Sequence, residues 1–451
     1  MPEDNAANPQ RSANSAEDKQ SVRLAAWQAS DDKQFASKAV ADLYRQRAKR
    51  FVDVVQLRQP DRVPLVMLSA GIVAQQAGIS FADTYYDTEK VVAATLKFVE
   101  EFLPEYTLFN GSATGKAYDL LGYNAYKWPG GSLPDDVPFQ YVEDEYMPAE
   151  DYDALINNPE GYMLRTYLPR VCSHLQGLRM VPSIFSTTEM VGVSMWLSGL
   201  SAPPLMESLS RLAEAITHIS KCMAIGMQTN AKIVGQYGCP GLLGGVAKAP
   251  FDIVADTMRG TRGALTDLYR RPAKLLEAAE ALVPTSIHMA VGSARPGPPP
   301  FVFMPLHKGA SAFMSFKHFQ KFYWPSFKRQ LEGIIAAGMV PLAFVEGSYD
   351  EARLELIAAS GLPAGKTVWL FDQSDMRTVK KHFAGFACFG GNVPASLFSV
   401  GTVAEMENYC KRLIDEMAPG GGFFIAPGAT VDKANPDVVR AFMSSARKYG
   451  V

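Results

Sequence analysis

Glu346 ends an apolar run, "PLAFVEG", and a glycine follows it directly. An unpaired carboxylate at the end of a buried strand costs several kcal/mol or has its pKa driven upward, so the residue asks for a role. Three other apolar runs end in the same way: His307 follows "FVFMPL", Asp372 and Asp375 follow "KTVWLF", and Asn392 follows "FACFGG". Carboxylate and imidazole together can transfer protons or hold a divalent cation. Glu346, His307 and Asp372 are therefore the candidate catalytic groups, and Glu346 with His307 the candidate metal ligands.

Each of these residues also has a structural alternative. His307 could cap a strand, Asp375 reads as the N-cap of the helix pattern after it, and Asn392 lies in a glycine-rich turn. Glu346 could be one half of a structural ion pair with Arg353 or Lys308. Tyr349, Arg353 and Asn392 are candidates for substrate contact, in and beyond the stretch "EGSYDEARL". Tyr323 and Trp324, from the aromatic run "FMSFKHFQKFYW", are candidates to line a pocket for a flat apolar ligand, although most of that run reads as core.

The elements that must position these groups are legible in the C-terminal third. Short apolar runs at 301–306, 339–345, 366–371, 386–391 and 422–427 alternate with stretches of helical spacing such as "VAEMENYCKRLIDEM". Repeated strand and helix implies parallel strands, and strands without polar alternation are covered on both faces. The length favours a (β/α)8 TIM barrel, with "DRVPLVML" (61–68) as an early strand and "APFDIVADTMRG" (249–260) as a turn into a mid-chain helix. Strand ends in such a barrel face the active-site mouth. The Pro- and Gly-rich segment after Tyr126 predicts a hairpin inserted in the N-terminal half. Residues 1–35 are expected to be a disordered tail, since the first 20 contain no Val, Ile, Leu or aromatic residue. Residues 36–451 then form a single barrel domain.

Composition narrows the partners. The 44 basic and 46 acidic residues nearly cancel, and no run of like charge suggests nucleic acid. No apolar run reaches the ~18 residues of a membrane span, and five scattered cysteines without a Cys-x-x-Cys pair fit a reducing compartment, so a cytoplasmic location is expected. Gly-x-Gly-x-x-Gly, Walker and Gly-x-Ser-x-Gly motifs are absent.

"DRVPLVM", "APFDIVADTMRG", "MSFKHFQKFYWPSFKRQLEGIIAAG" and "GGNVPASLFSVGTVAEMENYCKRLID" resemble the uroporphyrinogen decarboxylase superfamily, from about residue 45 onward. The resemblance implies a (β/α)8 barrel with one of two chemistries. The decarboxylases carry an Arg-Gln-Ala-Gly-Arg signature where this chain reads "LSAGIVAQQAG", so a porphyrin substrate is not implied. The corrinoid-dependent methyltransferases hold zinc with a His-x-Cys pair and a later Cys; those positions are Phe344, Glu346 and Ala429 here. The pattern is similar to a divergent methyltransferase branch, with oxygen chemistry in place of thiol chemistry. It implies a small O-methyl substrate, such as a methoxylated aromatic ring, and Glu346 as ligand to zinc or a harder divalent metal or as general acid. It also implies a corrinoid carried by a separate protein, and homodimers. A decarboxylase or other lyase acting on a non-porphyrin acid, with Arg259, Arg262 or Arg353 as its clamp, and a non-catalytic ligand-binding barrel are the alternatives.

Overall fold

The computed structural model describes residues 9–108, 113–292 and 299–450, with side chains from residue 19. A two-stranded antiparallel pair, β1 (Tyr126–Lys127) and β2 (Gln140–Tyr141), precedes a six-stranded parallel sheet. Its strands, in spatial and chain order, are β3 (Gly245–Val246), β4 (Phe301–Leu306), β5 (Val340–Val345), β6 (Val368–Phe371), β7 (Cys388–Gly391) and β8 (Phe423–Phe424). The five expected C-terminal runs supply β4 to β8. Parallel bridges extend the sheet at both edges, Leu65 and Ser69 beside Ile425 and Val431, and Thr107 beside Gly241. Among the described residues no backbone ladder joins the 65 and 107 segments; the Glu105 carboxylate accepts from the Leu65 N–H across that gap.

Both faces of the strands are buried, in two separate clusters. Val302, Met304, Leu306, Ala343, Val345, Trp369 and Phe371 pack outward against helices such as Trp324–Ala336. The alternate residues Phe301, Phe303, Leu342, Phe344, Leu370 and Phe424 form a second core with Tyr44 and Phe51 of the Lys38–Val55 helix. The Phe51 ring lies 5.2 Å from Phe301 on β4 and 5.7 Å from Phe424 on β8. Four strand spacings in a flat sheet would separate those positions by about 19 Å, so the sheet curls around this ring.

The segment expected as a tail differs. Residues 1–8 lie outside the described residues, but Pro9–Ala29 is a helix. Leu24 and Trp27 are buried in the inner core, where the Trp27 ring meets Phe301 at 5.3 Å, and Gln20 donates to the Met339 carbonyl. Apolar residues after position 20 anchor what composition alone leaves loose. Asp375 is an N-cap, accepting from the Thr378 N–H at 2.8 Å, as its position before a helix suggested. Among the described residues no helix is long and apolar enough to cross a membrane.

Candidate active site

Parallel register fixes the site. Leu306 pairs with Val345, Val345 with Phe371, and Phe371 with Gly391, so the next residues, His307, Glu346, Asp372 and Asn392, continue one row across four strands. The strand period of two places His307, Glu346 and Asp372 on the face that carries Phe303, Phe344 and Leu370. They sit where the inner core ends.

Below this row the turn "APFDIVAD" supplies two aspartates. The chain enters a short helix at Pro250 and runs on through a wider turn at Ile253–Met258, which puts Asp252 and Asp256 on one side, four residues apart. Asp252 is fully buried and accepts from the backbone N–H of His307 (3.1 Å), that of Lys308 (2.9 Å) and the Tyr323 hydroxyl (2.8 Å). Burial pushes its carboxyl above the usual range. It clamps the end of β4.

Asp256 works on the side chain. His307 Nδ1 lies 2.7 Å from Asp256 Oδ2, and His307 Nε2 lies 3.4 Å from Glu346 Oε1. The Lys248 ammonium also bonds Asp256, and the Lys308 ammonium stands 3.6 Å from it while donating to Thr261. Burial of His307 opposes its charge, but hydrogen bonds to Asp256 and Glu346, with the nearby charge of Asp252, outweigh burial and push its pKa up to about 10. Asp256 is itself buried, yet its bonds to His307 and Lys248 hold its carboxyl well below the usual range. The arrangement favours the charged form of the imidazole between Asp256 and Glu346. Its outer side is open, with the Glu346 side chain 45% exposed.

Asp372 joins them from β6, accepting from the Gly347 N–H at 3.1 Å. Burial pushes its carboxyl up, and the charge of Glu346 adds to this. Gly428 permits the contact: a β-carbon there would lie 2.9 Å from Asp372 Oδ1. Asn392 continues the row, but its amide donates to the Ser374 carbonyl at 3.0 Å and its side-chain oxygen lies 3.1 Å from the Tyr409 hydroxyl.

The other expected substrate contacts lie elsewhere. Tyr323 is fully buried with its hydroxyl on Asp252, and Trp324 packs against Phe319 and Phe327 in the helix layer. Tyr349 is buried against Phe319, and a β-carbon at Gly309 would meet its hydroxyl. Arg353 is buried too; it donates to the Gly309 and Met314 carbonyls, pairs with Asp350 and covers the Phe319 ring. Arg353 holds the loop after β4 through the Gly309 and Met314 carbonyls, and Tyr323 supports the Asp252 that clamps its start. Neither suggested partner pairs with Glu346. Phe344 meets Phe303 in the inner core, the tilted rings 5.9 Å apart.

An aromatic enclosure comes from the N-terminal half instead. A cavity of about 320 Å³ is lined by Phe81, Tyr85, Phe98, Tyr118 and Phe139, with Ser69, Thr107 and Asp432 as polar groups. Ring contacts lead from it toward Asp256. Phe139 meets Tyr126 at 5.9 Å, Tyr126 meets Tyr141 at 5.1 Å, and the Tyr141 hydroxyl donates to the Asp256 carbonyl. The repeated tyrosines at 118, 123, 126 and 141 are the signal from which this wall could have been read.

The donor set does not fit a metal ion. A ligating imidazole needs a ring nitrogen free for the metal, whereas both ring nitrogens of His307 already face carboxylates, Asp256 and Glu346, and Lys248 and Lys308 stand on Asp256. Among the described residues no three His, Cys, Asp or Glu side chains converge as a metal shell would require.

Comparison with known proteins places this geometry in a family. The model for uroporphyrinogen decarboxylase (URO-D) matches residues 143–449, which include β3 to β8 and all of Asp252, Asp256, His307, Glu346 and Asp372. No curated protein matches the sequence. Among solved structures, a methyltransferase from Methanosarcina mazei superposes with a TM-score of 0.55 at 14% identity, over 90% of this chain and 98% of that one. At that identity the likeness is one of fold. Matched over two thirds of its length, the chain belongs to the uroporphyrinogen decarboxylase family.

Proposed function

We propose that this protein is a methyltransferase that removes the methyl group of a small O-methyl compound, with a methoxylated aromatic ring as the preferred class. The parallel sheet closes as a (β/α)8 barrel in this reading, and the row after β4, β5 and β6 forms its mouth. The carrying observation is His307 set between Asp256 and Glu346 at an open strand end, with an aromatic-lined cavity linked to Asp256 through Phe139, Tyr126 and Tyr141. As a nucleophilic acceptor takes the methyl carbon, the C–O bond breaks with its electron pair passing to oxygen. His307 and Glu346, acting as one acid, deliver the proton that oxygen needs. A phenol leaves with a pKa near 10, which matches His307, and a donor matched to its leaving group is the efficient arrangement. Lys248 and Lys308 keep Asp256 ionised, so that it orients the imidazole.

The acceptor is a corrinoid brought by a separate protein, in keeping with the family branch that the residues resemble. The five cysteines are buried free thiols, which supports a reducing, cytoplasmic setting. A decarboxylase reading has less support, because Arg259 and Arg353 are buried in pairs with Asp267 and Asp350 and leave no arginine pair for a substrate carboxylate.

The test supplies the protein with a panel of methoxylated arenes and a reduced corrinoid, and follows free phenol by mass spectrometry. Phenol should appear, and Glu346→Gln should slow it by about 10²-fold or more, the usual worth of a positioned acid, with its circular dichroism unchanged. Carbon dioxide release without phenol, or full activity of Glu346→Gln, would overturn the assignment.

A further inference from the structure

The aromatic-lined cavity has one charged group on its wall, and that group is negative. One face of the Thr88–Phe102 helix supplies Val91, Ala94, Thr95, Phe98 and Val99, the spacing of a single helical stripe. Ala94 and Thr95, short side chains in the middle of that stripe, leave the space open. Thr95 Oγ1 donates back to the Val91 carbonyl at 2.8 Å and Thr84 Oγ1 to the Phe81 carbonyl at 2.6 Å, so both hydroxyl protons are already committed within the protein. Pro138 and Phe139, exposed in the loop that joins β1 to β2, form the outer edge.

The polar end of the cavity lies where the first and last strand segments stop. Ser69 bridges Val431, and Asp432 follows directly. Asp432 Oδ1 accepts from the Gly71 N–H at 3.0 Å, and among the described residues its other oxygen, Oδ2, has no hydrogen-bond partner. Only glycine fits at 71, since a β-carbon there would lie 2.5 Å from the Phe81 ring and 3.1 Å from the Asp432 α-carbon. Among the described residues the lining includes no Lys, Arg or His. An apolar cavity of about 150 Å³ holds a benzene, so the volume here, about 320 Å³, takes one ring with its substituents.

Charge selects which ring. A carboxylate on the ligand would lose its water with no cation to meet it and would face a second carboxylate, Asp432. A phenolic hydroxyl is instead a donor that Asp432 Oδ2 can accept, in a charge-assisted hydrogen bond. Resting on the methyl-transfer reading, we propose that this cavity is the ring subsite and that Asp432 makes the enzyme selective for uncharged methoxyphenols over methoxybenzoates. Asp432 recognises the ring, and proton delivery stays with His307 and Glu346.

Calorimetry on the full-length protein, without corrinoid, tests the site apart from the reaction. The panel is methoxybenzene and the 2-, 3- and 4-isomers of methoxyphenol and of methoxybenzoate. The best methoxyphenol should bind roughly 10- to 100-fold more tightly than methoxybenzene, the worth of a hydrogen bond to a charged group, and no methoxybenzoate should bind more tightly than methoxybenzene. Asp432→Asn, which keeps an acceptor for the Gly71 N–H, should narrow the first gap to about threefold or less, because a neutral pair is weaker than a charged one. The same variant should strengthen methoxybenzoate binding. A methoxybenzoate that binds wild type as tightly as the best methoxyphenol would overturn the proposal, as would no binding by any compound of the panel. So would a gap unchanged in an Asp432→Asn protein of unaltered circular dichroism. Binding as expected, with no demethylated product when reduced corrinoid is added, would count against methyl transfer alone and leave the ring site standing.

Discussion

Replacing Asp256 by Asn removes the main support of the His307 charge while keeping the size of the side chain. Asp256 Oδ2 accepts from His307 Nδ1 at 2.7 Å. A hydrogen bond to a charged partner contributes about 1.5–3 kcal/mol, and 1.36 kcal/mol is one pKa unit. The imidazole, pushed up to about 10 in the native protein, should therefore titrate about one to two units lower in Asp256→Asn. Lys248 and Lys308, left facing a neutral amide, push in the same direction. Nitrogen-15 spectra of histidine-labelled protein would follow the ring directly, with His307→Gln assigning its signal among the six histidines. The same shift governs stability. A group whose folded pKa lies above its unfolded value contributes fully below the unfolded pKa, near 6.5, and its contribution is lost as pH rises through the folded value. Thermal stability of the wild type should accordingly fall between about pH 6.5 and 10, and that fall should be shallower in Asp256→Asn. A wild-type His307 midpoint near 6.5, or one unmoved by the substitution, would refute the reasoning.

Arg353→Ala should destabilise the fold by about 2–4 kcal/mol, since the Gly309 and Met314 carbonyls lose a buried donor, while KM for the methyl donor stays within threefold. A large rise in KM at unchanged stability would return Arg353 to the substrate. Mass-spectrometric metal analysis of wild type and Glu346→Gln, prepared side by side, should find no stoichiometric divalent ion in either; one that vanishes in the variant would make Glu346 a ligand.

The row of polar strand ends was legible before any coordinates, because continuous apolar runs announce buried parallel strands and a carboxylate or imidazole ending one has to be accommodated. Asp375 was likewise readable as a cap, a local bond made within three residues. Asp252 and Asp256 were not readable as partners of His307, since 51 residues separate Asp256 from the histidine and only strand pairing brings them together. Tyr323, Trp324, Tyr349 and Arg353 share composition with a binding pocket, yet composition does not say which face of a helix meets the sheet.

By itself the sequence determined the alternation of strand and helix, the positions of the strand ends and the residue types that close them, all of which depend on contacts between near neighbours. Only the tertiary structure decided that Asp256 and Glu346 flank His307 and that the aromatic enclosure comes from residues 81–139. Those properties depend on distances between residues far apart in the chain, and periodicity carries no information about them.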